Sequence, residues 1–167
     1  AVGGFYRNAD PIDIVVTAAG VLVGVVVQVW KPKQLNTFET EWGFSCMGYE
    51  ISGALGIKMA KPDQDVVVFV GDGSYLLSNS DIYSSILYDK KLIIIVCDNG
   101  GHMVINRLQL AKGGKEYICN LRAARATNLQ FVDFEKHASS MGANAETVSS
   151  TSELEAAFKR AKDSDKT

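Results

Sequence analysis

Two uninterrupted apolar runs, Val66-Val67-Val68-Phe69-Val70 and Leu92-Ile93-Ile94-Ile95-Val96-Cys97, constrain this chain more than any other feature. A strand with one wet face alternates apolar and polar residues. Runs that never alternate, rich in β-branched side chains, belong to strands covered on both faces, as in a parallel sheet between layers of helices. Parallel neighbours need a crossover, and residues 81–88, between the runs, read as a helix. Residues 12–17 predict another strand. The turn Ala18-Ala19-Gly20 follows it, then an apolar segment that Pro32 ends, because the residue before proline avoids the α region. Residues 31–42 are polar and read as loop.

Residues 45–60 predict a helix, since Met47, Ile51, Ala54, Leu55 and Met59 recur at steps of three or four. Gly48, Gly53 and Gly56 lie on it, each costing about 1 kcal/mol relative to Ala, which points to a close approach by something else. Further helices are expected at 103–110 and at 134–141, the latter closed by Gly142. Residues 145–148 read as a short strand, and Ser152 with Glu155 as the capping box of a last helix reaching about residue 162. The expected fold is α/β: one domain over residues 1–167, with an open, mostly parallel sheet flanked by helices on both faces.

Composition removes several function classes. A net charge of −2 leaves no basic field for nucleic acid. Three cysteines without a C-x-x-C give neither a disulfide framework nor a zinc site, and fit a reducing cytoplasm. The most apolar stretch, residues 21–29, is interrupted by Gln28 and too short to span a bilayer, so no membrane partner is expected. Neither G-x-x-x-x-G-K-[ST] nor a strand-borne G-x-G-x-x-G occurs, which argues against nucleotide binding. The first ten residues lack the apolar core of a signal peptide, and the chain opens at Ala1 without a methionine. A piece of a longer, multidomain protein of the cytoplasm is expected.

Two strand ends carry unusual chemistry. Gly71-Asp72-Gly73-Ser74 follows the first apolar run and Asp98-Asn99-Gly100-Gly101 the second, with Asn99 standing 26 positions after Gly73. In open α/β sheets ligands sit beyond the carboxyl ends of the strands. Glycines let backbone N–H groups approach a phosphate, and a following helix turns its positive end to it. Asp72 offers a hard anionic oxygen, Asn99 a neutral one, and a bend at Gly100 frees a main-chain carbonyl. Mg²⁺ takes such oxygens at about 2.0–2.1 Å and shares them with substrate phosphates. Each tetrapeptide alone is an ordinary turn. Both at strand ends, one helix and one strand apart, form a candidate Mg²⁺–diphosphate site.

That spacing resembles the thiamine-diphosphate (ThDP) motif of the pyruvate decarboxylase and acetolactate synthase superfamily, and the likeness extends from about residue 12 to residue 162. It includes Ser45-Cys46-Met47-Gly48 and Gly53-Ala54-Leu55-Gly56. Glu41-Trp42-Gly43-Phe44-Ser45-Cys46-Met47-Gly48-Tyr49-Glu50, Asp98-Asn99, Ile105-Asn106 and Leu108-Gln109 resemble the inositol-catabolic branch, the trihydroxycyclohexane-dione hydrolases. The resemblance implies ThDP and Mg²⁺ as cofactors. Asp72, Asn99 and the Gly101 carbonyl would ligate Mg²⁺. Gly71, Gly73 and Ser74 would bind the diphosphate, with Gly20 a weaker candidate, since the turn after the first strand carries no polar side chain. Met47 would wedge the cofactor into a bent shape with its carbonyl at the amino group, and Ser45 would line the aminopyrimidine. The small-molecule substrate would be a cyclic 1,2-diketone whose ring C–C bond is hydrolysed, with His102 facing it.

The resemblance also implies a partner. The glutamate that activates the aminopyrimidine belongs to a separate pyrimidine-binding domain of the same enzyme, from a second subunit of a homo-oligomer. Without it, this chain is expected to bind cofactor incompletely and turn over nothing. Two other readings stay open: another ThDP-dependent lyase or decarboxylase of the acetolactate-synthase type, and a non-catalytic Mg²⁺–phosphate module. Plainer roles also compete for single residues. Met47 can be core packing, His102 a solvated loop residue, His137 structural, Tyr49 and Glu50 helix packing, and Cys46 a small buried thiol.

Overall fold

The computed structural model describes residues 2–167. Four strands, β1 (Ile14–Thr17), β2 (Phe38–Thr40), β3 (Val66–Gly71) and β4 (Ile93–Cys97), form one sheet in the order β2-β1-β3-β4, every pair parallel. Val67 of β3 stands opposite Val15 of β1 and Ile93 of β4.

Both faces of the sheet are covered, which is why its central strand never alternates. On one face Ile14, Val16, Val66, Val68 and Val70 pack against Ile51 and Leu55 of α3 (Tyr49–Ala60) and Ile82 of α5 (Asp81–Leu87). On the other, Val15, Val67, Phe69 and Ile93 meet α1 (Val2–Asn8), α2 (Gly20–Val29) and α8 (Thr151–Asp163) through Phe5, Val26 and Phe158, with Trp30 beside them. Val66, Val67 and Val68 are completely buried, and each such side chain contributes about 1.5–3 kcal/mol. Phe5 stands edge-on to Phe69 and to Phe158, with ring centroids 5.4 and 5.1 Å apart. The helices α4 (Asp72–Leu77), α6 (Met103–Ala111) and α7 (Phe134–Ser140) complete the set.

The topology fixes where a ligand belongs. β1 hands the chain outward to β2, whereas β3 and β4 lie on its other side. The order therefore reverses between β1 and β3, and the crevice beyond their carboxyl ends is the switch point.

Five local expectations are corrected. β2 lies inside the stretch read as loop: three residues of mixed polarity at a sheet edge leave no periodic signal. The helix expected from residue 45 begins at Tyr49, because Gly48 adopts a left-handed φ of +92° that stops it from extending backward. Close approach does not account for Gly56, beside which nothing lies within 4 Å. Residues 145–148 form no strand; Thr147 N–H donates to Glu135 Oε2 at 2.9 Å, and β4 is the outer strand among the described residues. The last helix is capped by Ser150 and Glu153, not by Ser152 and Glu155. Ser152 already lies inside that helix, and Glu155 is drawn off by Arg7 at 2.8 Å. α1 had no counterpart in the sequence reading.

Candidate cofactor site

Four turns surround the switch-point crevice. After β1, Gly20 opens α2 with φ +82°. Before α3 comes the segment Ser45-Cys46-Met47-Gly48, in which Ser45 also has a positive φ, +53°. After β3, Gly71 is the N-cap of α4. After β4, residues 98–102 lead into α6, with His102 as its N-cap.

Asp72 joins two of these turns. Its carboxylate is 2% exposed. It accepts the Gly101 N–H at 2.6 Å on Oδ2 and the Asn99 N–H at 3.4 Å on Oδ1. Burial pushes its pKa above the ordinary 3.8, with the Gly101 and Asn99 N–H groups pulling the other way. Among the described residues no Lys or Arg pairs with it. A carboxylate offers about four lone-pair directions, so some remain open after both N–H groups are served. A buried anion answered only by neutral donors, with capacity to spare, is suited to a hard cation.

The rest of the second loop is shaped by its own bonds. Asp98 Oδ1 accepts the Gly100 N–H at 2.9 Å, an Asx turn. Gly100 and Gly101 have φ of +83° and +129°. A Cβ on Gly101 would stand 2.5 Å from the Cys119 carbonyl oxygen. The Gly100 carbonyl accepts from Leu121 N at 2.9 Å and the Gly101 carbonyl from Met103 N at 3.0 Å, leaving each one lone pair. The Asn99 side chain is exposed. Its backbone, not its amide, is what meets Asp72. Among the described residues no three or more of His, Cys, Asp and Glu gather to hold a metal. One carboxylate, one amide and a carbonyl make an all-oxygen donor set, short of six, which suits Mg²⁺ completed by water and phosphate oxygens rather than zinc.

Gly73 and His102 are brought together. A Cβ on Gly73 would meet His102 Nδ1 at 2.7 Å, so the absence of a side chain there is what lets the imidazole lie across the β3 turn. Ser74 is 4% exposed. It donates its hydroxyl to Glu50, with oxygens at 2.8 and 2.9 Å, and accepts the Gly48 N–H at 2.8 Å. Its one proton is thereby committed inward, and what it offers the crevice is backbone. Met47 is 37% exposed and so is no core residue. Ser45 and Cys46 are exposed too, which corrects the buried-thiol reading of Cys46. Glu41 holds that segment by accepting the Phe44 and Cys46 N–H groups at 3.1 and 2.7 Å. His137 bonds the Tyr75 hydroxyl at 2.9 Å and stacks edge-on with its ring, a structural pairing.

Sequence reasoning gave Glu50 no role beyond helix packing, whereas it is completely buried and bonded to three different turns. A glutamate next to Ile51 on a glycine-rich, apolar helix was the available signal. It also passed over Thr17, whose buried hydroxyl at the end of β1 has no partner among the described residues; Thr40, opposite it on β2, is in the same position.

The family profile described as thiamine pyrophosphate enzyme, C-terminal TPP binding domain, matches residues 18–167. A 3D-(3,5/4)-trihydroxycyclohexane-1,2-dione hydrolase from Halalkalibacterium halodurans is 42% identical over 156 residues, covering 93% of this chain and 24% of that protein. The protein of the same name from Bacillus subtilis is 40% identical over 153 residues, covering 92% and 24%. The chain thus spans about a quarter of the length of these relatives. Among solved structures, a thiamine diphosphate-dependent 4-hydroxybenzoylformate decarboxylase from Rhodococcus jostii superposes with a TM-score of 0.83 at 18% identity, over 99% of this chain and 30% of that one. A thiamin diphosphate-dependent enzyme from Mycobacterium smegmatis gives 0.73 at 21%, over 98% and 28%. At these identities the two structures bear on the fold alone, and they match it.

Proposed function

Because this chain belongs to the thiamine pyrophosphate enzymes, as their C-terminal TPP binding domain, we propose that its turns hold ThDP through Mg²⁺ within a hydrolase that opens the ring C–C bond of a cyclic 1,2-diketone. The observation that carries the cofactor half is Asp72: a buried carboxylate that no Lys or Arg pairs with among the described residues, tied to the β4 loop and set at the end of β3. The substrate half rests on the relatives named as trihydroxycyclohexane-dione hydrolases.

In this reading Asp72, the Asn99 amide and the Gly101 carbonyl hold Mg²⁺. Backbone N–H groups from Gly71 to Ser74, and Gly20 across the crevice, face the diphosphate. Met47 and Ser45, on the exposed segment before α3, meet the ring portion. His102, lying against Gly73, is placed to hold or pass a proton beside the diphosphate turn. ThDP, when bound, supplies an electron sink for cleaving a C–C bond next to a carbonyl. The chain's own contribution is to place, to exclude water and to neutralise charge. The activating glutamate comes from a pyrimidine-binding domain of a second subunit, in a homo-oligomer of the cytoplasm.

Calorimetry on the full-length protein tests the cofactor half. ThDP should bind with Mg²⁺ present, and Asp72→Ala should abolish the metal-dependent heat. Binding indifferent to metal would refute the assignment. Steady-state assay with a cyclic 1,2-diketone tests the substrate half; formation of an acetolactate-type product instead would move the protein to another branch of the family.

A further inference from the structure

Glu50 is the second buried carboxylate of the site, and the roles above give it no part. It lies in the first turn of α3, is completely buried, and meets only hydrogen-bond donors that carry no charge. Those donors come from three separate turns. Ala19 N–H, after β1, reaches Oε1 at 3.3 Å. Gly48 N–H, before α3, reaches Oε2 at 3.0 Å. The Ser74 hydroxyl, in the first turn of α4, stands 2.9 and 2.8 Å from the two oxygens. Ser74 closes the ring by accepting the Gly48 N–H at 2.8 Å.

An ionised carboxylate taken from water is costly unless donors replace its hydration, and an apolar side chain would fill the same space without that cost. What the carboxylate adds is geometry. One planar group, held at both oxygens, sets the spacing between the turn after β1, the segment before α3 and the turn after β3. These are three of the four turns around the crevice. Gly48 cannot be fixed by a side chain of its own, because its φ is +92° and a Cβ would stand 2.8 Å from Ser78 Cβ.

We propose that Glu50 is a positioning residue. Acting through Ser74, Gly48 and Ala19, its carboxylate sets the separation of the three turns that receive the cofactor. The proposal rests on the functional reading above for what those turns receive, and on the hydrogen bonds alone for how they are held.

The test uses the full-length protein and Glu50→Gln, which keeps the shape but replaces one acceptor oxygen with a donor. Amide hydrogen exchange is measured without ligand. ThDP dissociation constants are then measured at saturating Mg²⁺, well below the melting temperature of every variant. Exchange at Ala19 or Gly48 should quicken about tenfold, the equivalent of one lost buried hydrogen bond. The ThDP dissociation constant should rise about tenfold, as expected for a site no longer pre-organised. Val67→Ala is the structural control: it opens a cavity in the sheet core, touches none of the turns, and should leave the dissociation constant within about twofold. Glu50→Asp, one methylene shorter, should fall between Glu50→Gln and the unmutated protein. Unchanged exchange at both amides in Glu50→Gln overturns the positioning role, as does ThDP weakening no larger than that of Val67→Ala. Failure of the unmutated protein to bind ThDP overturns the functional reading and the cofactor half of this proposal with it.

Discussion

Gly101 shows how much of the site is decided by single atoms. It combines a φ of +129° with a carbonyl oxygen where a Cβ would go, and its N–H makes the shorter bond to Asp72. Gly101→Ala is therefore expected to cost about 1–3 kcal/mol of stability and to weaken Mg²⁺-dependent ThDP binding along with it; denaturant unfolding and calorimetry would measure the two losses. Asp72 makes a second prediction, in pH. Its folded pKa is raised above 3.8, so the folded state binds that proton more tightly than the unfolded chain does. Its contribution to stability then falls as pH rises through the interval between the two values. Melting temperatures without metal should drop across that interval for the unmutated protein relative to Asp72→Asn, and saturating Mg²⁺ with ThDP should remove the drop. A constant difference between the two proteins would contradict this. That Asp72 and Asn99 follow strand ends was legible, because unbroken apolar runs closed by Gly-rich turns have a local grammar. The bonding role of Glu50 was not, because two of its three partners, Ala19 and Ser74, lie 31 and 24 residues away, and nothing near it in sequence announces them.

Among the elements, α8 illustrates the limit of short patterns. Residues 149–155 contain two overlapping S-x-x-E registers, Ser150 with Glu153 and Ser152 with Glu155. Which is the cap depends on where the backbone enters the helix, and Ser150, with its extended ψ of 159°, marks that point. Ser150→Ala is accordingly expected to destabilise the protein by about 1 kcal/mol. Ser152→Ala should stay within about 0.5 kcal/mol, and urea unfolding of the pair distinguishes the registers. The strands divide the same way. β3 declared itself because burial on both faces forces an unbroken apolar run; β4 carries such a run too, although all of its residues after Ile93 are only half-buried. β2 did not, because three residues of mixed exposure at an edge carry no period.

Across the whole molecule, the face opposite the crevice is tied together by Lys162, with Lys91 beside it reaching Asp65 at 3.4 Å. Lys162, near the end of α8, bonds Asp10 and Asp13 at 2.6 Å each and reaches Asp65, just before β3, at 3.5 Å. It joins the chain's first segment, its central strand and its last helix. Asp13 is 4% exposed, so removing its partner leaves a buried charge. Lys162→Met is expected to cost about 3 kcal/mol, read as a lower thermal midpoint, with ThDP affinity per folded molecule retained. No spacing rule predicts such a contact across the length of the chain. The order of the strands is equally non-local, although alternation of strands and helices was enough to give an open parallel α/β sheet.

β4 ends the sheet, and a groove of about 1200 Å³ lies beside it, lined in part by residues 143–151. Its main chain on that side is a row of donors and acceptors with no strand alongside among the described residues, carried by Ile93, Ile94, Ile95 and Val96. Such a margin is a template for another molecule's main chain. Preparations of this domain alone should therefore grow stickier with concentration, forming β-rich, thioflavin-positive deposits, and a lysine placed at Ile95 should slow their growth.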